Sequence, residues 1–358
     1  MTSARPAGTA PVPATASATA SATASATASA TASAGAAAAD LVAELLPTLR
    51  AFAIPMPVKF RGTTVRRGAL LRGPAGWGEF SPFPEYGPRE CARWLACALE
   101  AAAHGWPDPV RDSIPVNVTV PAVGPEQAHQ IVSGSGCRTA KVKVAERGQH
   151  GSDDIARLEA VRDAIGPDGK VRVDANAGWS VDEAARMLTQ LSAFGLEYAE
   201  QPCATLDELA ELRRRVEVPL AADESIRRAD DPMKVRAAGA ADIVVLKAQP
   251  LGGVRPALEI ADACGLPVVV SSAVDTSVGL AAGVALAAAL PDLPYACGLA
   301  TMSLLAGDVT ADPLAEQDGQ LPVRPAIVDD ASLARYEVDP ADWRERLLAA
   351  AQFLPGRP

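Results

Sequence analysis

Residue types that usually announce metal or disulfide chemistry are scarce in this sequence. Its 358 residues include only 3 histidines and 6 cysteines, and no two cysteines form a CxxC pair. Zinc sites and disulfide frameworks need such residues at close spacing, so neither is expected, and reduced thiols in a cytoplasmic protein are favoured. Aromatic residues make up 4% of the chain and apolar residues 49%. The chain can therefore build a large core, mainly from aliphatic side chains.

Excess positive charge and long apolar runs are also missing. The chain has 33 basic and 43 acidic residues, for a formal net charge of −10. Nucleic-acid phosphates require clustered Lys and Arg, so a nucleic-acid partner is not expected. The Ala-rich stretch 279–290 is too short to span a bilayer, so a membrane partner is not expected either.

The first part of the chain differs in composition from the rest. Ala-Thr-Ala-Ser repeats fill residues 14–33, and no basic segment precedes a Leu-rich one, as a signal peptide would require. Small side chains bury too little surface to offset the entropy of ordering. We therefore expect a disordered tail over residues 1–37.

Residues 114–300 alternate between short apolar runs and helical stretches. Strands that alternate with helices at this spacing are typical of βα units, and eight of them predict a TIM-type α/β barrel. An open doubly wound sheet is the rival, disfavoured because no Gly-rich phosphate turn follows the first strand. The eight runs are VNVTV, AKVKV, KVRVDA, LEYAE, PLAADE, DIVVLK, LPVVVSS and PYACGLA.

Residues 38–113 have a different order, with strand-like segments followed by a helical run from Arg89 to Ala103. This order predicts a small α+β domain. The C-terminal segment 301–358 contains the helical sequence DWRERLLAAAQFL, which we expect to pack back on that domain. Barrel active sites lie at the carboxyl ends of the strands, and a neighbouring α+β domain is well placed to cap them.

Charged residues follow the apolar part of most predicted barrel strands, which is where catalytic groups of barrels cluster. The alternation in AKVKV places both of its lysines on one face of the strand. Three consecutive strands then end in a carboxylate, and the next strand ends in a lysine. These residues are Lys141, Lys143, Asp174, Glu200, Asp223 and Lys247.

The three acidic residues predict a metal site. Carboxylates that converge on one opening repel each other unless a cation binds between them. An all-oxygen ligand set favours a hard divalent ion, and Mg²⁺ fits best. We therefore predict that Asp174, Glu200 and Asp223 bind Mg²⁺. Lys143 and Lys247 come from strands on opposite sides of the acidic ones, so each would face one side of a carboxylate substrate.

This arrangement suits removal of a proton α to the carboxylate of a small-molecule substrate. The resulting enediolate carries concentrated negative charge, which a metal and lysines stabilise. A lysine near other cations and shielded from water can serve as the base. Of Lys141 and Lys143, one is therefore predicted to be the base and the other its electrostatic partner.

Other charged and small residues near these strands allow two interpretations each. Asn176 and Glu224 either orient a neighbouring metal ligand or cap a helix or loop. Arg172 shares its face of the strand with Asp174, and either contacts the ligand or balances charge. Gly252 and Gly253 either let backbone amides approach an anion or form a turn.

The motifs KVK, VDAN, AEQP, ADES and LKAQPLGG occur in this order, and in this the chain resembles the muconate-lactonising branch of the enolase superfamily. FRGTTVR, GWGEFSPFPEYGP and SSAVDTSVGLAAG extend the resemblance to the o-succinylbenzoate synthase family, over about residues 50–310. The resemblance implies a modified (β/α)7β barrel with an α+β cap. It also implies dehydration of 2-succinyl-6-hydroxy-2,4-cyclohexadiene-1-carboxylate to 2-succinylbenzoate, a step of menaquinone biosynthesis.

The resemblance further implies roles for single residues. Lys143 would remove the α-proton and then protonate the departing hydroxyl, while Lys247 would stabilise the enediolate from the opposite face. Lys141 would lie beside the substrate carboxylate. The succinyl end would be held by Gly252, Gly253, Ser271 and Ser272.

Two other functions stay open at this point. An N-succinylamino acid racemase or dipeptide epimerase of the same superfamily would use the same metal and lysines, with Lys247 delivering a proton to the opposite face. The other is a binding protein, a barrel without catalytic activity. The presence of all the charged strand-end residues argues against it. The oligomeric state is not indicated by the sequence.

Overall fold

The computed structural model describes residues 37–60, 62–227 and 233–354. The disordered tail predicted over residues 1–37 lies outside these ranges, apart from its last residue. Residue 37 belongs to a helix, α1 (37–45).

Three strands of an antiparallel sheet and a long helix lie ahead of the barrel, and the fourth strand of this sheet comes from the C-terminal segment. Helix α2 begins at Pro88, a favoured first helical residue because its φ is already helical, and buries Trp94 and Leu95. The helix lies so close to the sheet that a Cβ on Gly78 would be 2.0 Å from the Ala98 carbonyl oxygen. The elements are β1 (Arg50–Phe60), β2 (Thr63–Gly73), β3 (Gly76–Phe80) and α2 (Pro88–Ala103).

The barrel strands are short and parallel. They are β4 (Ser113–Val120), β5 (Thr139–Lys143), β6 (Lys170–Asp174), β7 (Leu196–Glu200), β8 (Leu220–Ala222), β9 (Ile243–Leu246), β10 (Val268–Val270) and β11 (Cys297–Ala300). The helices between them are α3 (Pro125–Ser133), α4 (Gly151–Ile165), α5 (Val181–Leu191), α6 (Leu206–Arg213), α7 (Glu224–Arg227), α8 (Lys234–Ala237), α9 (Ala248–Leu251), α10 (Val254–Cys264) and α11 (Ser277–Ala289).

The strands pair in the order β10-β9-β8-β7-β6-β5-β4-β11, and a parallel bridge between Ser271 and Gly298 joins β10 to β11. The sheet therefore closes on itself, and the rival prediction of an open doubly wound sheet is wrong. After β11 the chain leaves the barrel without another barrel helix. The predicted α/β class and the modified (β/α)7β barrel are confirmed.

Burial on both faces explains the composition of the barrel. Every residue of β9 and β10 is buried, as expected for parallel strands with helices outside and side chains inside. Helix α11 is buried over nearly its whole length, and it contains most of the Ala-rich stretch 279–290. In the part of the chain that the structure describes, every helix falls short of the length and apolarity that a membrane crossing requires.

The C-terminal segment returns to both regions. Strand β12 pairs antiparallel with β4, and β13 pairs antiparallel with β1 through Val338 and Ala51. The last helix packs on the cap, with the Trp343 ring 5.9 Å from the Phe80 ring. The C-terminal segment therefore contributes a strand to each region. The predicted domain boundaries at residues 113 and 300 stay a prediction. Its elements are β12 (Gln320–Pro322), α12 (Asp330–Ala334), β13 (Glu337–Val338) and α13 (Ala341–Ala351).

Candidate active site

A small, partly open cavity lies at the carboxyl ends of the barrel strands, under the cap. Phe60 and Phe83 line it from the cap side. The other lining residues come from the barrel strands and the loops that follow them: Thr119, Lys141, Lys143, Asp174, Asn176, Glu200, Asp223, Lys247, Ser271, Ser272, Ala273, Val274, Gly298 and Thr301.

Strand register places the charged residues side by side. Lys143 is level with Asp174 across β5 and β6, and Asp174 is level with Glu200 across β6 and β7. Asp223 and Lys247 directly follow β8 and β9. The sequence order of strands thus becomes a spatial row, with Lys143 at one end, Lys247 at the other and the three carboxylates between them.

Each lysine of the cavity has a close carboxylate partner, and Lys141 Nζ also lies 3.6 Å from a second carboxylate, that of Asp174. The shortest Nζ-to-oxygen distances are 2.8 Å for Lys141–Glu200, 2.5 Å for Lys143–Asp174 and 2.5 Å for Lys247–Asp223. The three carboxylate residues are each 1% exposed. Ion pairs removed from water to this degree are stable only when both partners are present.

Burial and mutual charge set the protonation of the row. Burial raises the pKa of Glu200 above its usual value, and the Asp174 charge adds to the effect. Burial also favours the neutral form of Asp174, but Lys143 and Lys141 outweigh it, so its pKa lies below its usual value. For Lys141, burial lowers the pKa, while Glu200 and Asp174 more than reverse this. Lys141 therefore stays charged at neutral pH.

The oxygens of Asp174, Glu200 and Asp223 are chemically suited to a hard divalent cation. They are brought to one cavity, but among the described residues no three His, Cys, Asp or Glu side chains converge as a formed metal site. Instead, each of the three carboxylates lies within hydrogen-bond distance of a lysine Nζ. The donor set fits the ion by its chemistry, and a bound ion would replace part of these pairings.

Asn176 connects a lysine to two carboxylates. Its Oδ1 accepts from Lys143 Nζ at 2.7 Å, and its Nδ2 donates to Glu224 Oε1 at 3.3 Å. Its backbone N–H donates to Asp174 Oδ1 at 3.0 Å. Its φ is 45°, a left-handed conformation that asparagine tolerates better than most residues. Asn176 and Glu224 therefore lie beside the acidic row. Their predicted role in orienting a metal ligand stays a prediction.

Gln201 is a buried residue that the sequence reasoning did not assign. Its Oε1 accepts the N–H of Asp223 at 2.9 Å, and its Nε2 donates to the Cys203 carbonyl oxygen at 2.9 Å. Its φ is 39°. The side chain thus fixes the backbone that carries Asp223. A signal was available in the AEQP motif, where a polar residue stands directly between a strand end and a proline.

The hydroxyl-bearing residues after β10 lie in the cavity wall. Ser271 and Ser272 both donate from Oγ to the Gly298 carbonyl oxygen at 3.3 Å, and Ser272 Oγ lies 3.0 Å from Thr301 Oγ1. Phe60 also contacts a charged group, since Lys143 Nζ lies 5.1 Å from the centre of its ring. Phe60 and Thr301 were not predicted, because nothing local in the sequence marks them.

Arg172 lies deeper in the barrel and outside the cavity lining. It is fully buried, with Nε donating to Glu197 at 2.6 Å and Nη1 donating to the Ala296 carbonyl oxygen at 2.7 Å. The guanidinium also lies 4.7 Å from the centre of the Tyr198 ring. Its neighbours fit the charge-balancing interpretation, and the predicted contact between Arg172 and the ligand stays a prediction.

Gly252 and Gly253 also lie outside the cavity lining. They precede α10, whose first N–H groups donate to a carboxylate of the cap. The Val254 and Arg255 amides lie 2.7 Å and 3.3 Å from oxygens of Glu100. Backbone amides do approach an anion at this turn, but the anion is a side chain of α2 rather than a substrate.

A buried network ties the loop after β10 to the cap. Arg66 donates from Nε to the Val274 carbonyl oxygen at 2.9 Å and lies 3.5 Å from Asp275. Glu79 accepts from the N–H groups of Thr276 and Gly279 at 3.2 Å and 3.1 Å. Burial raises the pKa of Glu79 to about 7, with the Asp275 charge adding to the effect. One wall of the cavity is therefore held by the cap.

Comparison with protein families gives matches over most of the chain. Residues 125–327 match the family described as enolase C-terminal domain-like, and residues 51–102 match the one described as enolase N-terminal domain-like. Among solved structures, muconate lactonizing enzyme from Pseudomonas fluorescens has a TM-score of 0.69 at 22% identity, covering 81% of this chain and 98% of that one. At this identity the likeness supports the fold alone.

Curated relatives are much more similar in sequence. The o-succinylbenzoate synthase of Thermobifida fusca is 69% identical over 85% of this chain and 96% of that protein. The o-succinylbenzoate synthase of Mycolicibacterium smegmatis is 56% identical over 81% of this chain and 89% of that protein. Identity of this extent, over both the cap and the barrel, is sufficient to decide the family. The chain belongs to the o-succinylbenzoate synthase family of the enolase superfamily.

Proposed function

We propose that the chain is a Mg²⁺-dependent hydro-lyase that converts 2-succinyl-6-hydroxy-2,4-cyclohexadiene-1-carboxylate to 2-succinylbenzoate in menaquinone biosynthesis. The observation that carries the proposal is the row of three buried carboxylates with a lysine at each end. The Thermobifida fusca relative, at 69% identity, supports the choice of substrate. All six cysteines are buried thiols rather than disulfides, which supports a cytoplasmic location.

Asp174, Glu200 and Asp223 are the residues that would hold the Mg²⁺ ion. When bound, the ion supplies positive charge that stabilises negative charge on the substrate carboxylate. The bound ion adds positive charge to a cavity that already contains three lysines, which favours the unprotonated amine that a base requires. A substrate with two carboxylates suits such a site.

Lys143 is the proposed base. Its amine takes the proton α to the ring carboxylate, and the electrons of the C–H bond move into that carboxylate to give an enediolate. These electrons then form the third ring double bond as the C–O bond of the neighbouring hydroxyl breaks. The Lys143 ammonium protonates the departing oxygen, so water leaves. One residue performs both transfers, so hydrogen and hydroxyl depart from the same face.

The other two lysines stabilise charge. Lys141 stays protonated because of Glu200 and Asp174, and we propose that it faces the substrate carboxylate. Lys247 lies at the far end of the row and supports the enediolate from the face opposite Lys143. Charged groups that are already in position stabilise developing charge without further reorganisation.

Ser271 and Ser272 are proposed to bind the succinyl end of the substrate. Both line the cavity on the wall formed by β10 and β11, beside Thr301. Hydroxyl groups in a buried wall can donate to a carboxylate, and such hydrogen bonds to a charged acceptor are the strong ones.

The test is a spectrophotometric assay of the purified protein with the cyclohexadiene substrate. Aromatisation changes the ultraviolet spectrum, so turnover is read directly. We expect turnover with Mg²⁺ and none in the Lys143→Ala variant. An absence of aromatisation by the Mg²⁺-loaded wild-type protein would refute the proposal.

A second candidate activity is racemisation of N-succinylamino acids. The observation that favours it is the position of Lys143 and Lys247 at opposite ends of the acidic row, which gives a proton donor on each face of a bound carboxylate. Incubation with an N-succinylamino acid in deuterium oxide reports on it. Rapid deuterium exchange without turnover of the cyclohexadiene would transfer the assignment to the racemase.

A further inference from the structure

Two buried side chains of α4 hold the end of strand β5 from outside the barrel. Arg157 donates from Nη1 to the Lys143 carbonyl oxygen at 2.9 Å, and Asp154 accepts from the Ala145 N–H at 3.1 Å. The two side chains are paired with each other at 2.8 Å and are 1% and 4% exposed. The contacts therefore grip the backbone on both sides of Val144.

The same guanidinium joins two loops at the carboxyl end of the barrel. Arg157 Nε donates to the Val123 carbonyl oxygen at 2.7 Å, and Nη2 donates to Gln149 Oε1 at 2.5 Å. Gln149 in turn donates to the Ala122 carbonyl oxygen at 2.8 Å. The loop after β4 and the loop after β5 are thus connected through one side chain. We call Arg157 and Asp154 the strand clamp.

The clamp acts where the sheet no longer supports β5. Pairing with β4 extends only to Val142, and the last contact with β6 is the Val144 N–H bound to the Asp174 carbonyl oxygen at 3.1 Å. Ala145 follows with a φ of 58°, which is unfavourable for a residue with a Cβ. Buried backbone groups at such a strand end need partners from elsewhere, and the clamp supplies them.

We propose that Arg157 and Asp154 are positioning residues that set where the Lys143 amine enters the cavity. The proposal rests on the role of Lys143 given above. Lys143 Nζ lies 2.5 Å from Asp174 and 2.7 Å from Asn176, so a small shift of its backbone breaks these contacts. Misplacement of a catalytic group by about 1 Å can lower a rate by about 100-fold.

Arg162, in the same helix, provides a matched control. Its guanidinium donates to the Phe194 carbonyl oxygen at 2.7 Å and to those of Gly166 and Gly169 at 2.8 Å. These acceptors lie in the loops that precede β6 and β7, at the end of the barrel away from the cavity. Arg162 thus makes the same kind of contacts as Arg157 without holding the residue proposed as the base.

The experiment compares Arg157→Met with Arg162→Met in the full-length, Mg²⁺-loaded enzyme. We expect kcat of Arg157→Met to fall by about 100-fold with KM changed by less than about threefold, because positioning affects the transition state more than binding. We expect kcat of Arg162→Met to stay within about threefold of wild type. Equal losses of kcat in the two variants, at matched thermal stability, would overturn the proposal.

Hydrogen exchange of the Ala145 amide gives a readout that does not depend on turnover. In Asp154→Asn and Arg157→Lys, which keep the size of the side chains, we expect this amide to exchange at least about tenfold faster, with a partial loss of kcat. Arg162→Met should leave its exchange unchanged. Wild-type exchange or wild-type kcat in both conservative variants would exclude the clamp. Failure of the proposed dehydration would instead show as an inactive wild-type protein with a protected Ala145 amide.

Discussion

The interior of the barrel contains two sets of buried charges that look equivalent in sequence and differ in structure. Arg172 and Asp174 are two residues apart on the same face of β6. Arg172 is surrounded by fixed partners, including Glu197 and a backbone carbonyl, whereas Asp174 faces a cavity and pairs with the flexible side chain of Lys143. Burial of a charge alone therefore does not mark a site. We call the cavity end of the barrel, at the carboxyl ends of its strands, the mouth. It differs from the deeper interior because its charged residues line a cavity and have partners that a ligand can replace.

The largest effect is expected at the mouth, for Lys143→Ala. Removal of the proposed base should lower kcat by about 10³-fold or more, since general acid–base catalysis contributes about 10²–10⁴-fold and Lys143 is proposed to perform both proton transfers. The ultraviolet assay measures it. Lys170→Ala is the control, because Lys170 is exposed at the opposite end of the barrel. A variant that keeps a tenth of the wild-type kcat would remove Lys143 from the mechanism.

Removal of Mg²⁺ should also act on the mouth and leave the deeper interior unchanged. EDTA should lower the rate by about 100-fold or more, and added Mg²⁺ should restore it. Saturating Mg²⁺, at about 100 times its Kd, should raise the free energy of unfolding by about 2.7 kcal/mol, because the ion binds only the folded chain. Thermal melts with and without the ion measure this. Activity that survives EDTA would argue against the proposed metal site.

Arg172→Met, in the deeper interior, should lower stability and leave catalysis nearly unchanged. Loss of this side chain leaves Glu197 as an unpaired, largely buried charge, so the free energy of unfolding should fall by about 3–5 kcal/mol. KM and kcat of the folded fraction should change by less than about threefold, because Arg172 does not line the cavity. Urea unfolding and steady-state kinetics measure the two effects. A large rise in KM would restore the interpretation of Arg172 as a substrate contact.

The smallest effect concerns the network between the cap and the loop after β10. The pKa of Glu79 in the folded protein, about 7, lies above its unfolded value, so the folded state retains this proton longer as pH rises. The corresponding stability is present below about pH 4.5 and is lost as pH rises through about 7.

The Glu79→Gln variant isolates this contribution because it cannot titrate at that position. Between pH 5 and 8, wild type should lose about 2 to 3 kcal/mol of stability relative to the variant. Urea unfolding at a series of pH values, with Mg²⁺ present throughout, measures the difference. Parallel pH profiles for the two proteins would show that Glu79 does not titrate in this range.

Most of the fold was predictable because its signals are local. The apolar runs of the barrel match the strands closely, and the segment TTVRRGALLRG is strand β2 over its full length. Strand β1 extends from Arg50 to Phe60, beyond the predicted AFAIPM, because its pairing with β2 is irregular after Pro55 but resumes at Phe60. Prolines weaken the strand pattern in sequence, while the hairpin partner still holds the segment.

The part of the site that was not predictable depends on contacts between distant segments. Glu100 occupies the amides after Gly253 from 154 residues away in the chain, and no local pattern indicates this. Gln201 accepts the Asp223 N–H with its side-chain oxygen. Its own backbone is left-handed, a conformation that a residue other than glycine rarely adopts. The partners of Arg172 also come from distant segments, at Glu197 and the Ala296 carbonyl oxygen.

The pairing of β13 with β1 also has a consequence for how the molecule forms during synthesis. The cap sheet combines strands from the beginning of the described chain with β13, near its end. Helix α13 also packs against helix α2. Contacts this far apart in sequence are costly to close. Until the ribosome has made β13, the hairpin of β1 and β2 has an unpaired edge. The barrel strands lie between these two segments in the sequence, so they are available to pair before the cap sheet is complete.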